Sequence, residues 1–156
     1  MQPLVVGLGH PDRADDAVGR LVAESVADAR GDVSVACPLD PLVLLNLMPG
    51  RDVVVLVDAA VGGDAAGTVR VHDLTSAPLA QAEAGAAASS HGISVGQVVE
   101  LARAVGAMPT MLRLVTVQVT DVAAGRELTP SVRRAVARAS QQVSRLLDEI
   151  SSADPG

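Results

Sequence analysis

Two stretches, Pro3 to Gly7 and Val53 to Val57, are unbroken runs of Val and Leu closed by Gly or Asp. Runs with no polar alternation suit strands covered by helices on both faces, so they predict a parallel sheet. Val33 to Cys37 and Leu112 to Val119 read as further strands. Thr68 to Leu74 alternates instead, with Val69 and Val71 turned inward and Arg70 and His72 outward, the pattern of a half-exposed edge strand. Between these runs the period becomes helical. Val18, Leu21, Val22 and Val26 share one face, and Val132, Ala135, Val136, Ala139, Val143, Leu146, Leu147 and Ile150 trace a long stripe after Thr129-Pro130. A short helix near Leu42 to Leu47 and another from Gly92 to Val105 complete the alternation. The expected fold is a three-layer α/β/α sandwich around a mostly parallel, five-stranded twisted sheet with right-handed crossovers. Residues 1–150 are expected to form one domain, and the polar residues 151–156, which end in Pro-Gly, a frayed tail. Thr75 to Ser90 is rich in Ala and Ser and lacks an apolar stripe, which predicts a flap.

Composition narrows the chemistry. All 12 basic residues are Arg and none is Lys, which excludes the P-loop lysine, Schiff-base chemistry and every amine nucleophile. Phe, Trp and Tyr are also absent, so no ring stacks a base and no phenol serves as an acid. A net charge of −6 has the wrong sign for a phosphate backbone or an anionic membrane surface. The apolar runs are far shorter than the ~18 residues that span a bilayer. A single cysteine, Cys37, makes no internal disulfide, and the N-terminus carries no secretory pattern, so a cytoplasmic chain is expected. Cys37, followed by Pro38 with no paired His in view, reads as a buried structural thiol, and His72 as solvated surface.

Two motifs fail on context. Gly7-Leu8-Gly9-His10-Pro11-Asp12 opens like a dinucleotide fingerprint, but Asp12 replaces its third Gly, and Asp15 and Asp16 would face the pyrophosphate. Gly92-Ile93-Ser94-Val95-Gly96 matches G-x-S-x-G, yet it follows no core strand, and all three His residues precede Ser94. Ser94 reads instead as a helix N-cap with Gln97 as its capping-box partner. In a doubly wound sheet, ligands bind beyond the carboxyl ends of the strands where the order reverses. With an order beginning 2-1-3, Asp16 after the first strand, Asp58 after the buried third run and His91 before the later helix become the candidates. Two carboxylates and an imidazole suit a first-row divalent metal with positions left open for substrate. Each also has a plain structural role available: a helix cap for Asp15 or Asp16, a turn residue at Asp58, a solvated helix start at His91.

The ordered set Val6-Gly7-Leu8-Gly9, Asp15-Asp16-x-x-Gly19, Val55-Leu56-Val57-Asp58-Ala59, Ser90-His91 and Leu128-Thr129-Pro130-x-Val132 resembles the nickel-iron hydrogenase maturation endopeptidases, from about Pro3 to Ile150. That resemblance implies a phosphorylase/hydrolase-like α/β/α protein that trims the C-terminal extension of a hydrogenase large-subunit precursor after nickel insertion. It implies Asp16, Asp58 and His91 as both catalytic and metal-binding residues. Nickel would be supplied by the precursor, with no metal held permanently, and the protein is expected to be a monomer with no nucleic-acid or membrane partner. Two positions depart from the family pattern. His10 replaces the usual Asn, with a loop-ordering hydrogen bond or a fourth ligand as its alternatives, and Cys37-Pro38-Leu39-Asp40 replaces a Gly-Gly-Thr-like turn that handles substrate. A non-catalytic nickel- or precursor-binding factor is the alternative. Val6-Gly7-Leu8-Gly9-His10-Pro11 also echoes the opening of peptidyl-tRNA hydrolases, without their following catalytic His.

Overall fold

A computed structural model describes residues 2–9, 17–61, 64–77, 94–119 and 130–153. The unbroken apolar runs become the inner strands: β1 (Leu4–Gly7), β3 (Val53–Val61) and β5 (Met111–Val119), with β2 (Ser34–Ala36) and β4 (Val69–Asp73) at the edges. They form one five-stranded sheet in the order β2-β1-β3-β5-β4. β2, β1, β3 and β5 run parallel, and β4 returns antiparallel to β5. The helices are α1 (Val18–Ala29), α2 (Leu44–Leu47, continuing a 3-10 turn at Pro41–Val43), α3 (Val95–Val105) and α4 (Pro130–Ala153).

Alternate residues of each inner strand feed opposite cores, as the period of two requires. Val5, Val53, Val55, Val57, Val115 and Val117 meet Val22 and Val26 of α1 and Val132, Ala139 and Val143 of α4. Leu4, Val6, Val54, Leu56, Leu112 and Leu114 meet Leu44 of α2, Met48, and Val95, Val98 and Ala102 of α3. Those two cores are the helix/sheet/helix layering that the sequence predicts.

Three expectations need correction. Asp58 does not follow β3 but lies inside it, because pairing with β5 continues to Val61↔Val119. Within the edge strand Val69 packs on the first core, whereas Val71 is 39% exposed. α4 crosses that edge at its Gly67 end, where Arg138 Nη2 donates to the Gly67 carbonyl at 2.6 Å, so Val71 lies beyond its cover. Ser151 to Ala153 continue α4 rather than starting the tail, and residues 154–156 lie outside the described residues.

Backbone meets backbone where α1 begins. A Cβ on Gly7 would stand 2.5 Å from the Gly19 carbonyl, and one on Gly19 would stand 2.4 Å from the carbonyls of both Leu8 and Val57. Only hydrogen fits at either position, so the first turn of α1 is pressed against the carboxyl ends of β1 and β3. Gly19→Ala is expected to destabilise the fold by about 1–3 kcal/mol or more, since the atoms in its way are main-chain carbonyls that cannot rotate aside. Urea unfolding would show this as a lowered midpoint; an unchanged midpoint would mean that the helix shifts freely.

Candidate active site

β1 stops at Gly7, which is in register with Val57, while β3 runs on to Val61. Beyond Leu8, whose N–H donates to the Val57 carbonyl at 2.8 Å, the β1 side of β3 loses its sheet partner. The next donor on that side, Ala59 N–H, is accepted by Asp58 Oδ1 at 2.9 Å. Asp58 therefore completes the ladder where it breaks. Here β1 connects toward β2 and β3 toward β5, the reversal of order that opens a binding crevice in sheets of this kind.

On the sheet face covered by α2 and α3, apolar positions give way to polar ones toward this end. Leu56 is followed on its face by Asp58, and Leu114 by Thr116 and Gln118. Asp58 is in register with Thr116, and Ala60 with Gln118. All three polar side chains are buried, Asp58 at 6% exposure and Thr116 at 7%. Farther along the row, His72 Nε2 of β4 lies 3.3 Å from Thr116 Oγ1, so His72 is half-buried on the inner side and not solvated surface. Its neighbour Arg70, paired with Thr116 in the β4/β5 ladder, holds Asp64 with Nη2 donating to Oδ1 at 2.8 Å. The sequence carried a partial signal for Thr116 and Gln118: they stand two apart, on one face of a strand whose other polar residue, Arg113, falls on the opposite parity, while their sharing a face with Asp58 follows from the β3/β5 register.

Ser94 is buried and caps α3 as expected, its hydroxyl accepting from Gln97 N–H at 3.1 Å while Gln97 Oε1 accepts from Ser94 N–H at 2.8 Å. Such a reciprocal cap is a structural use of the serine. α1 begins with Ala17 at its N-cap, which offers no side-chain acceptor. Asp15, Asp16, His10 and His91 lie outside the described residues. So does the predicted flap from residue 78 onward, although its first residues are anchored: Thr75 Oγ1 accepts Leu112 N–H at 2.9 Å, and Arg103 Nη1 donates to the Thr75 carbonyl at 3.1 Å. Among the described residues no three His, Cys, Asp or Glu side chains form a metal-holding group.

The departing 37–40 loop is stiff. Pro38 and Pro41 restrict it, Asp40 Oδ1 accepts Leu42 N–H at 3.0 Å, and Leu39 stands 66% exposed at its tip. Cys37 is half-buried rather than fully buried, and burial pushes its thiol above the usual value, which keeps it protonated and unreactive. No described helix is long and apolar enough to cross a membrane.

A doubly wound α/β/α sandwich with a buried carboxylate at its strand-order reversal has a ligand-binding crevice at that end. A family model described as hydrogenase maturation protease (HycI) matches residues 39–146, and the chain belongs to that family. The chain is similar to the hydrogenase maturating endopeptidase HybD from Escherichia coli, at 25% identity and a TM-score of 0.72 over 96% of this chain and 93% of that one. It is similar also to a second Escherichia coli endopeptidase, solved in solution, at 27% identity and a TM-score of 0.81 over the same shares. The [NiFe] hydrogenase maturation protease HycI from Thermococcus kodakarensis, 22% identical with a TM-score of 0.67 over 94% and 92%, shares the fold. No curated protein sequence gives a significant match. The protein is accordingly a protease.

Two carboxylates, one near this end and one at the far end of β4, are held in the ionised form by their neighbours. Arg70 holds the Asp64 carboxyl below its usual range, and the Thr75 backbone N–H, with the Thr75 hydroxyl and Arg113, does the same for Asp73. Because both folded values are depressed, their stabilisation is complete above the ordinary carboxylate value of about 3.9 and is lost as pH falls through the lower folded values. The difference in urea midpoint between wild type and Asp64→Asn is expected to be present at pH 7 and to shrink below pH ~4. A difference that stays constant down to pH ~2.5 would contradict the Arg70 assignment.

Proposed function

We propose that this protease removes the C-terminal extension of a nickel-iron hydrogenase large-subunit precursor after nickel has been inserted, acting as a monomer in the cytoplasm. The observation that carries the reading is Asp58: a buried carboxylate inside the central strand of a family member, at the strand-order reversal. Burying an acid in an apolar strand costs free energy unless it is hydrogen-bonded or paired, and acids kept at that cost in a crevice cluster at functional sites. Asp16 directly precedes Ala17 in the chain, and His91 lies three positions ahead of Ser94, so both are tethered to elements that pack at this crevice.

In this reading nickel is part of the substrate. Held by the precursor, it takes Asp16, Asp58 and His91 as added ligands, which seats the scissile bond in the crevice. The carboxylates and the imidazole match a first-row divalent ion. Water adds to the scissile carbonyl carbon, the carbon–nitrogen bond breaks, and the proton from water goes to the departing amine. No side-chain nucleophile is required, in keeping with Ser94 being committed to its capping box. The exposed, proline-braced Leu39 tip is positioned to meet the precursor beside the site.

Nickel-loaded and nickel-free precursor, incubated with the protein and weighed by mass spectrometry, test the reading. Wild type is expected to shorten the loaded precursor only. Asp58→Asn is expected to slow cleavage on the order of 100-fold or more, because it removes a ligand charge. Its amide oxygen still accepts Ala59 N–H, so the unfolding midpoint should stay close to wild type. Equal cleavage of nickel-free precursor would contradict the nickel role. Binding of loaded precursor without any cleavage would favour the non-catalytic alternative.

A further inference from the structure

We propose that the open edge of β3 at Ala59–Val61 is the docking site for the substrate's main chain, which adds there as an extended strand in the place that β1 vacates. The inference deepens the reading given above and takes from it only that the precursor is the polypeptide substrate. Successive residues of a strand address opposite neighbours with their N–H and C=O groups. Along β3 the even-numbered residues face β5, since the Asp52 carbonyl accepts Met111 N–H at 2.8 Å. The odd-numbered ones face β1, since the Val57 carbonyl accepts Leu8 N–H at 2.8 Å. Pairing with β1 ends at Gly7↔Val57, and β3 continues to Val61. On the odd side that leaves Ala59 and Val61. Asp58 Oδ1 accepts Ala59 N–H at 2.9 Å, and among the described residues nothing pairs with Ala59 C=O, Val61 N–H or Val61 C=O.

An open edge is a template for another chain, and sheets discourage unwanted pairing with charge or proline. At the rim of this sheet β4 carries Arg70, His72 and Asp73, and β2 is followed by Pro38. Ala59–Val61 has neither charge nor proline. After the run of Val and Leu in β3, Ala59 and Ala60 offer small side chains that let a second backbone come to strand distance, ~4.8 Å. Val61 is 47% exposed, so the edge is reached from solvent. An incoming extended segment gives one N–H to Ala59 C=O, accepts Val61 N–H on its own carbonyl and gives a second N–H to Val61 C=O, in either strand direction. The occupant is a polypeptide main chain because the protein is a protease, and main-chain bonds hold a segment in register whatever its sequence. The Asp58 carboxylate occupies the preceding position on the same edge, so the added strand runs up to the buried acid.

The test reads kcat, KM and the unfolding midpoint on nickel-loaded and nickel-free precursor. Val61→Pro removes the edge N–H and leaves the β5 side of the strand intact, a position where sheets accept proline. Val61→Ala trims the side chain and keeps the N–H. Val61→Pro is expected to raise KM about tenfold on whichever form is cleaved, with kcat and midpoint near wild type, the pattern of a lost binding contact. Val61→Ala is expected to stay within about twofold of wild type. Pulse deuterium labelling of wild type gives a second readout. Val61 N–H should exchange fast in the free protein and about tenfold or more slowly during turnover under saturating precursor, while Ala60 N–H, which faces β5, stays protected in both. Wild-type KM in a folded Val61→Pro overturns the proposal, as does an equal rise in Val61→Ala. If Val61→Pro does not fold or its midpoint drops, the labelling decides alone. A Val61 N–H already slow in the free protein means that another part of the chain covers the edge, and one that stays fast under precursor means that nothing docks there; either result overturns the proposal. Full activity of Asp58→Asn beside a raised KM in Val61→Pro removes the nickel-ligand reading and leaves the docking edge standing, whereas a wild type that shortens neither form of the precursor overturns both.

Discussion

Contact between main chains at Gly7 and Gly19 fixes the site end of the molecule. With no Cβ on either residue, α1 starts directly on the carbonyls of Leu8 and Val57, closer than any side chain would allow. β1 ends beside that contact while β3 continues, and Asp58 accepts the Ala59 N–H left on the unpaired side of β3. The start of the helix, the end of the strand and the hydrogen bond of the buried acid thus meet at one place. The same packing fixes Ala17 at the start of α1.

The second organising feature is a change of chemistry along a single sheet face. Toward the amino ends of β3 and β5 the inner face is Val and Leu against α2 and α3, the ordinary content of a packed core. Toward the carboxyl ends it becomes Asp58, Thr116 and Gln118, still buried. Binding chemistry on α/β sheets concentrates at that end because loops leave there and the strand order reverses there. In this chain the polar row reaches the edge strand, where His72 Nε2 lies 3.3 Å from Thr116 Oγ1.

Much of this was legible in the sequence, for identifiable reasons. Long apolar runs and the stripe from Val132 to Ile150 carry strong periodicity, and they became β3, which runs on past its expected end at Val57, β5 and α4. Ser94 with Gln97 declared its capping box through spacing alone. Asp58 stood out as the acid closing an apolar run, but its location within the strand depended on pairing with β5, which no local pattern reveals. His72 was read as outward-facing because alternation gives parity without saying which face of an edge strand is covered. Thr116 was passed over because Thr is at home in any strand; its meaning came from standing beside Asp58. Val71 escaped its predicted burial because helix cover over an edge depends on where α4 crosses.

The 37–40 loop presents a braced apolar tip to solvent. Two prolines and the Asp40 side chain brace Leu39 in solvent, a rigid apolar tip where the resemblance leads one to expect a flexible glycine turn. In the proposed function that tip would meet the precursor, while the crevice between β1 and β3 would hold the reacting groups. The central claim, that Asp58 joins nickel carried by the precursor, is tested most directly by X-ray absorption at the nickel edge of loaded precursor, alone and with the protein. Added oxygen or nitrogen ligands with wild type, and fewer with a folded Asp58→Asn variant, are the predicted result. A nickel spectrum unchanged by wild type, or changed identically by the variant, would contradict the account.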